Sequence, residues 1–296
     1  MKTTFKSILC VMLAAVLCAF TLSGCDGIFD SGSSGGGGNH GGGNFVPMDG
    51  NASHSKDTDK NSEAEKQDSE DIIYKPPTGG YTKRVALTFD DGPHVERTPK
   101  IVDELAKYGY NATFFVVGNR VDGTEYNGGA AMKYAVSKGN EIGIHGYTHS
   151  YYYDTCDDAT YQSEIADTLK AIRKVLPDYE VKVMRPVGGR ITAERVAASP
   201  YAVIQWSVDS DDWNNKYVSG DTDEDTARKI EATVNNVMNN VSDGDIILMH
   251  DIWSNTYDAT VILLERLYEE GYDVVSVSEL LGDSMQAGRE YYAAVG

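Results

Sequence analysis

The chain has 296 residues, 41% of them apolar, enough for one large domain with appendages or for two ordinary ones. Its 45 acidic side chains against 26 basic ones leave a formal charge of −19. That balance argues against a nucleic-acid partner, which needs a basic face, and says little about fold.

At the N-terminus, Lys2 and Lys6 precede the apolar run ILCVMLAAVLCAF. The run is short for a membrane span and reads as the core of an export signal. It ends in LSGC, Leu22 to Cys25, which resembles a bacterial lipobox. That resemblance implies a signal peptide over residues 1–24, cleavage before Cys25 and a diacylglycerol on its thiol. Residues 25–80 then read as a disordered linker, first Gly/Ser-rich and then charged, with almost nothing to bury. Such a linker has an r.m.s. reach of about 40 Å. His40 and His54 within it read as solvated rather than as ligands. Cys156 is the one thiol left in the body of the chain, so no internal disulfide framework is expected. The domain must be held by its core, as a chain of this size allows.

From Tyr81 the pattern alternates. RVALTFD reads as a strand, and VERTPKIVDELAKYG as a helix with Ile101, Leu105 and Tyr108 on one side and Gly109 as its stop. ATFFVVG is a second strand, NGGAAMKYAVSKG a helix and NEIGIHG strand-like. DATYQSEIADTLKAIRKVL is a long amphipathic helix ending near Pro177. VKVMRPVGG is a strand then a turn, TAERVAASP a short helix and YAVIQWSVD one strand. DEDTARKIEATVNNVMNNV is a helix with acids in its first turn. GDIILMHD is a strand, TVILLERLYEEG a helix, and YDVVSVSELL closes the series. Seven or so strands alternating with helices predict an α/β domain over residues 81–283 with a parallel, barrel-like sheet. The tail, residues 284–296, has no assigned structure.

The polar outliers fall at the C-terminal ends of these strands: Asp90 and Asp91, His145, Arg185, Asp209 and His250. Active sites in α/β barrels are built at that end. In HGYTH, a four-residue spacing puts His145 and His149 on one helical face, or lets a turn converge them. A carboxylate from another strand would complete a set for a divalent ion with positions left open. Adjacent carboxylates at 90 and 91 repel unless something neutralises one of them.

TFDDGP, HGYTH, RPVGG, WSVDSDDW and LMH occur in that order from Arg84 to Leu281. Together they resemble the five motifs of the NodB-homology polysaccharide deacetylases. The resemblance implies a distorted (β/α)7-type barrel and a divalent metal, Zn²⁺ or otherwise Co²⁺ or a similar ion, on Asp91, His145 and His149. It implies Asp90 as catalytic base oriented by Arg185, and His250 as general acid tethered by Asp209. Gly188 would offer its backbone N–H to the oxyanion, and Trp213 and Leu248 would wall the acetyl group. Asp211 and Asp212 are then read as solvated. Two positions depart from the family pattern. Val187 replaces a common proline, and Gly188 a common tyrosine, which bears on substrate contacts more than on chemistry.

The expected function is metal-dependent N-deacetylation of a cell-wall polysaccharide, with N-acetylglucosamine of peptidoglycan as the substrate favoured by location. Chitin-type oligosaccharides, N-acetylmuramic acid and O-acetylated xylan stay open. So do a catalytically silent glycan-binding lipoprotein and a purely structural one. The aromatic run Tyr151–Tyr153 is read as wall packing rather than a sugar platform. Expected partners are an acetylated glycan and the membrane, through a lipid anchor, with no nucleic acid. The protein is expected as a monomer, extracytoplasmic and facing the wall.

Overall fold

The computed structural model describes residues 73–294 apart from 78–79 and 124–126. The expected signal peptide, Cys25 and the linker through residue 72 lie outside the described residues. Among the described residues the chain order is β1 (Lys83–Asp90), α1 (Arg97–Tyr108), β2 (Thr113–Val116), α2 (Gly118–Asp122), α3 (Gly129–Ser137), β3 (Glu141–Ile144) and α4 (Asp158–Val175). It continues with β4 (Val183–Met184), α5 (Ala193–Ala198), β5 (Ala202–Ile204), β6 (Val208–Asp209), α6 (Asp223–Met238), β7 (Ile246–His250), α7 (Ser254–Glu269), β8 (Tyr272–Val275), α8 (Val277–Leu281) and β9 (Glu290–Tyr291). The helix ends carry their chemical signals. Gly109 closes α1 at φ 69°, the Asp157 carboxylate caps α4, and Thr222 and Asp225 form a capping box on α6. Each side-chain cap contributes about 1 kcal/mol.

The strands pair in the order β6-β7-β1-β2-β3-β4-β5-β9, with β8 on β1, and every one of these pairings is parallel. Only residues 205–207 join β5 to β6, which stand near opposite ends of that path. A link of that length spans at most about 14 Å, so the sheet must curl until its ends approach. The result is the expected distorted (β/α)7-type barrel: β6, β7 and β1 to β5 form the wall, while β8 and β9 are additions to it.

Side chains alternate across that wall. On β1, Val85, Leu87 and Phe89 pack outward with Ile101, Leu105 and Leu263 from the helices. Ala86 joins Phe115, Val183, Ala202, Ile204 and Ile246 in a smaller cluster. The same alternation directs Thr88 and Asp90 to that inner side, along with Arg185 on the β4 register and His250 on the β7 register. The barrel floor is therefore apolar and its upper layers are polar.

Two expectations change, and the tail gains an assignment. YAVIQWSVD is not one strand: it breaks at Gln205–Ser207 into β5 and β6. The break has a polar cause. The carbonyls of Ile204 and Gln205 leave the ladder and accept from the Arg185 guanidinium, at 3.1 and 2.9 Å. The C-terminal tail, unassigned from the sequence, contributes β9, which pairs with β5. Finally, the last part of the expected linker is packed. Ile73 and Tyr74 donate their backbone N–H groups to the Lys107 carbonyl. The Tyr74 ring stacks on Tyr108 at 4.1 Å, and the Tyr268 hydroxyl donates to the Lys75 carbonyl.

Candidate active site

Asp90 and His250 face each other across the β1–β7 register. Strand periodicity accounts for Asp90 on the inner side but would send Asp91 outward. Instead Asp91 adopts φ 72°, a costly conformation for a residue with a Cβ, and this turns its carboxylate toward the same site. The next residue must be glycine. A Cβ at Gly92 would fall 2.3 Å from Asp251 Oδ1. Asp251 is fully buried, accepts from the Thr98 hydroxyl, and is pushed up to about 7 by that burial.

HGYTH is a loop rather than a helix. Gly146 at φ 90° and His149 at φ 60° bend it so that the two imidazoles converge. The buried Glu164 carboxylate on α4 holds the bend. It accepts from the Tyr147 N–H (2.7 Å), the Thr148 N–H (2.9 Å) and the Thr148 hydroxyl (2.8 Å). Glu164 touches no ligand atom, yet it sets where His149 stands. Glu164→Ala should weaken divalent-metal affinity about 10–100-fold, the usual cost of losing a ligand's support, as read by competition titration with a chromogenic chelator. Wild-type affinity in that variant would remove the role.

Asp91, His145 and His149 bring three ligand atoms within 4.8 Å of one another. His145 Nδ1 lies 2.8 Å from the Arg185 carbonyl. A carbonyl only accepts, so Nδ1 carries a proton, and in the neutral imidazole Nε2 keeps its lone pair. That Nε2 is 3.4 Å from Asp91 Oδ1, and His149 Nε2 is 2.9 Å from the same oxygen. Asp91 Oδ1 is itself buried without a hydrogen-bond donor. Burial alone would raise the Asp91 pKa, but the two imidazoles outweigh it and hold the carboxyl well below the usual range. Ligands on a tetrahedral ion at about 2.0–2.1 Å stand about 3.3 Å apart. The orphaned oxygen, the oriented imidazole and these spacings fit a divalent metal.

Asp90 is held differently. Its Oδ1 accepts from Arg185 Nη1 at 2.8 Å, and that nitrogen also donates to the Thr88 hydroxyl at 2.8 Å. Arg185 is 0% exposed and stacks on Phe115 at 4.3 Å. With the two carbonyls at the β5–β6 break, four of its donor directions are satisfied. A buried guanidinium needs such a set to offset lost hydration. The other oxygen, Asp90 Oδ2, lies 3.6 Å from His145 Nε2, beside the three ligand atoms without belonging to them.

His250 is tethered by Asp212, not by Asp209. Its Nδ1 donates to Asp212 Oδ1 at 2.8 Å, and its backbone N–H donates to Oδ2 at 2.8 Å. The Thr256 hydroxyl also donates to Oδ2, at 2.6 Å. Asp212 is 0% exposed, so the reading of it as solvated is wrong. Asp209 is exposed; it caps the turn by accepting from the Asp211 N–H and lines the cleft. Burial pushes His250 down, but the Asp212 carboxylate outweighs it and leaves the imidazole raised to about 9.

These groups open into a cleft of about 350 Å³. Gly188, Trp213 and Leu248 line it, as do Tyr152 of the aromatic run and Trp206 and Trp253, which the sequence reading did not single out. Of the tyrosine run, Tyr153 is fully buried, whereas Tyr151 and Tyr152 are half exposed. An unexplained acid on the buried face of the long helix was the available signal for Glu164. Thr88 could have been found from its inward parity with Asp90.

Residues 78–202 match the family profile described as polysaccharide deacetylase. The chain is 32% identical over 216 residues to the peptidoglycan-N-acetylglucosamine deacetylase PgdA of Listeria monocytogenes, covering 73% of this chain but only 42% of that protein. It is 34% identical over 187 residues to a peptidoglycan-N-acetylglucosamine deacetylase of Bacillus cereus, covering 59% of this chain and 79% of the relative. Among solved structures it is similar to a family 4 acetyl xylan esterase from Clostridium thermocellum in complex with cobalt. There the TM-score is 0.61 at 30% identity, covering 71% of this chain and 98% of that one.

Proposed function

The chain belongs to the polysaccharide deacetylase family, and from that premise we propose that it is a metal-dependent N-deacetylase of cell-wall glycan, acting on N-acetylglucosamine of peptidoglycan. The observation that carries the reading is the pairing of two proton-handling groups with one ligand set. Asp90 on Arg185 and His250 on Asp212 stand on neighbouring strands, beside the converging ligand atoms of Asp91, His145 and His149.

A divalent ion on those three residues, Zn²⁺ in our reading with Co²⁺ as the second choice, supplies Lewis acidity to the attacking water and to the acetyl carbonyl. Arg185 aims the Asp90 carboxylate, so that Asp90 accepts the proton of the attacking water. The Gly188 backbone N–H is assigned to the oxyanion. His250 Nδ1 is committed to Asp212, which leaves Nε2 to give its proton to the departing nitrogen. An amide C–N bond breaks readily only with that proton. Water and the acetamide thus become acetate and a free amino sugar, with Asp90 taking one proton and His250 returning one. Trp213 and Leu248 wall the acetyl methyl.

The names of the Listeria and Bacillus relatives favour peptidoglycan, while the likeness to an acetyl xylan esterase keeps esters in the test. A lipid on Cys25 would hold the domain outside the cell membrane, facing the wall, as a monomer. Cys25→Ser protein is therefore expected in the medium rather than the membrane fraction. Purified from there, it should release acetate from N-acetylated glycan oligomers, stop after dialysis against a chelator, and resume with Zn²⁺ or Co²⁺. Release indifferent to the chelator, or confined to O-acetylated xylan, overturns the catalytic reading. Membrane retention of the variant overturns the anchor.

A further inference from the structure

Gly188 sits in the cleft wall at φ 60°, and the direction its side chain would take is already filled. The point a Cβ there would occupy lies 3.1 Å from Tyr152 Cε1 and 3.6 Å from Tyr152 Cδ1. Tyr152 arrives from a different part of the chain, the connection between β3 and α4. Its backbone is fixed on both sides. The Tyr152 carbonyl accepts from the N–H groups of Thr155 and Cys156, and the Tyr153 N–H donates to the Arg190 carbonyl. The next ring, Tyr153, is locked in the core.

The Tyr152 ring is fixed as well. The Arg190 guanidinium lies 4.2 Å from its centroid, and Asp154 holds Arg190 through Nε and Nη2, each at 2.9 Å. Cation–π contact of this kind orders a ring at modest energetic gain. Despite this support, 45% of Tyr152 stays exposed, in the cleft shared by Asp90, Asp91, His149 and His250. A ring held from behind and left open beside the reacting groups contributes little to the core. It offers rigid apolar area at low entropic cost, which suits the C–H face of a pyranose.

We propose that Tyr152 is a substrate-contacting, specificity-determining residue: its ring is the wall against which the glycan packs, filling through space the place left without a side chain at Gly188. This rests on the glycan deacetylase reading. The site needs both residues as they are. Glycine accommodates the left-handed backbone, and its missing Cβ leaves room for the ring. The ligand class is an N-acetylated sugar oligomer, because a small acetyl ester has no pyranose to set against the wall.

The experiment compares wild type, Tyr152→Ala and Tyr152→Phe on N-acetylglucosamine tetramer and on 4-nitrophenyl acetate, with calorimetric tetramer affinity read beside turnover. Tyr152→Ala should raise KM and Kd for the tetramer about tenfold, the value of roughly 1.4 kcal/mol. Its kcat should stay within about threefold of wild type, and its kcat/KM on the aryl ester within about twofold. Tyr152→Phe, which keeps the ring, should stay within about twofold on both substrates. Unchanged tetramer KM and Kd in Tyr152→Ala, equal losses on both substrates, or a Tyr152→Phe variant as impaired as Tyr152→Ala would each overturn the proposal. A wild-type protein that binds the tetramer without releasing acetate sinks the deacetylase reading alone, and the Kd of Tyr152→Ala still decides the wall. No binding and no release overturns both.

Discussion

Asp90→Asn should lose a factor of about 10²–10⁴ in kcat, the usual contribution of a general base, while keeping its metal; Asp91→Asn should lose the metal itself. The two residues are neighbours in sequence but not in circumstance. Asp91 Oδ1 is buried, lacks a hydrogen-bond donor and faces both imidazoles. Replacing it with a neutral amide removes the anionic ligand, and excess metal should restore part of the activity. Asp90 is bound to Arg185 and stands outside the three-atom ligand group. An asparagine there still accepts from the guanidinium but cannot take a proton, so added metal should not rescue it. It also leaves a fully buried cation without its counter-charge, a change that costs about 3–5 kcal/mol in comparable buried pairs. Thermal midpoints are therefore measured with the metal stoichiometry and kcat of each variant. Equal metal loss in both would merge the two aspartates into one ligand set.

The second large effect concerns Asp212. Its carboxylate keeps His250 protonated up to about 9 against the opposing influence of burial. In the proposed mechanism the acid form is the active one, so kcat should fall as pH rises through that value. In Asp212→Asn the largest raising influence is gone while burial still opposes the charged form, so the pKa should fall. The basic limb of the pH profile should move down by two units or more, to below about 7. At pH 8, where a pKa of about 7 or below leaves at most about a tenth of the imidazole protonated, kcat on N-acetyl sugars should fall about tenfold or more, with a smaller loss on an activated acetyl ester whose leaving group needs little protonation. Asp209→Asn, which leaves the dyad intact, should stay within about threefold at every pH. If the two variants exchange these behaviours, the tether is Asp209 after all.

That contrast also marks where the sequence stops being legible. Strand parity places Thr88 and Asp90 on one face, and no structure is needed to see it; that His250 stands opposite comes from the β1–β7 register. Parity fails beyond a strand end. β6 stops at Asp209, and Asp211 turns through φ 56°. With acids at 209, 211 and 212, nothing in the pattern says which one points inward. Asp91 is a similar case, because its useful orientation comes from a strained φ and not from periodicity. The break in YAVIQWSVD was invisible for another reason. Its apolar pattern runs through Gln205–Ser207, while the cause of the break is a guanidinium about twenty positions away. Glu164 and Tyr152 act on the site across the β3–α4 connection, a contact only the fold creates. The short α2 and the tail strand β9 carry too few residues to show a period.

The docking of Ile73 and Tyr74 beside Lys107 and Tyr108 fixes where the chain enters the domain. That contact lies at the C-terminal end of α1, hence at the pole where the parallel strands begin, while Asp90, His250 and the cleft occupy the pole where they end. Whatever holds the chain upstream grips the barrel by its back. A tug there loads the Tyr74–Tyr108 stack and the outer ends of α1 and α7, and reaches Asp91, His145 and His149 only through the full height of the sheet. The cleft is thus left open at the pole away from the point where the chain enters.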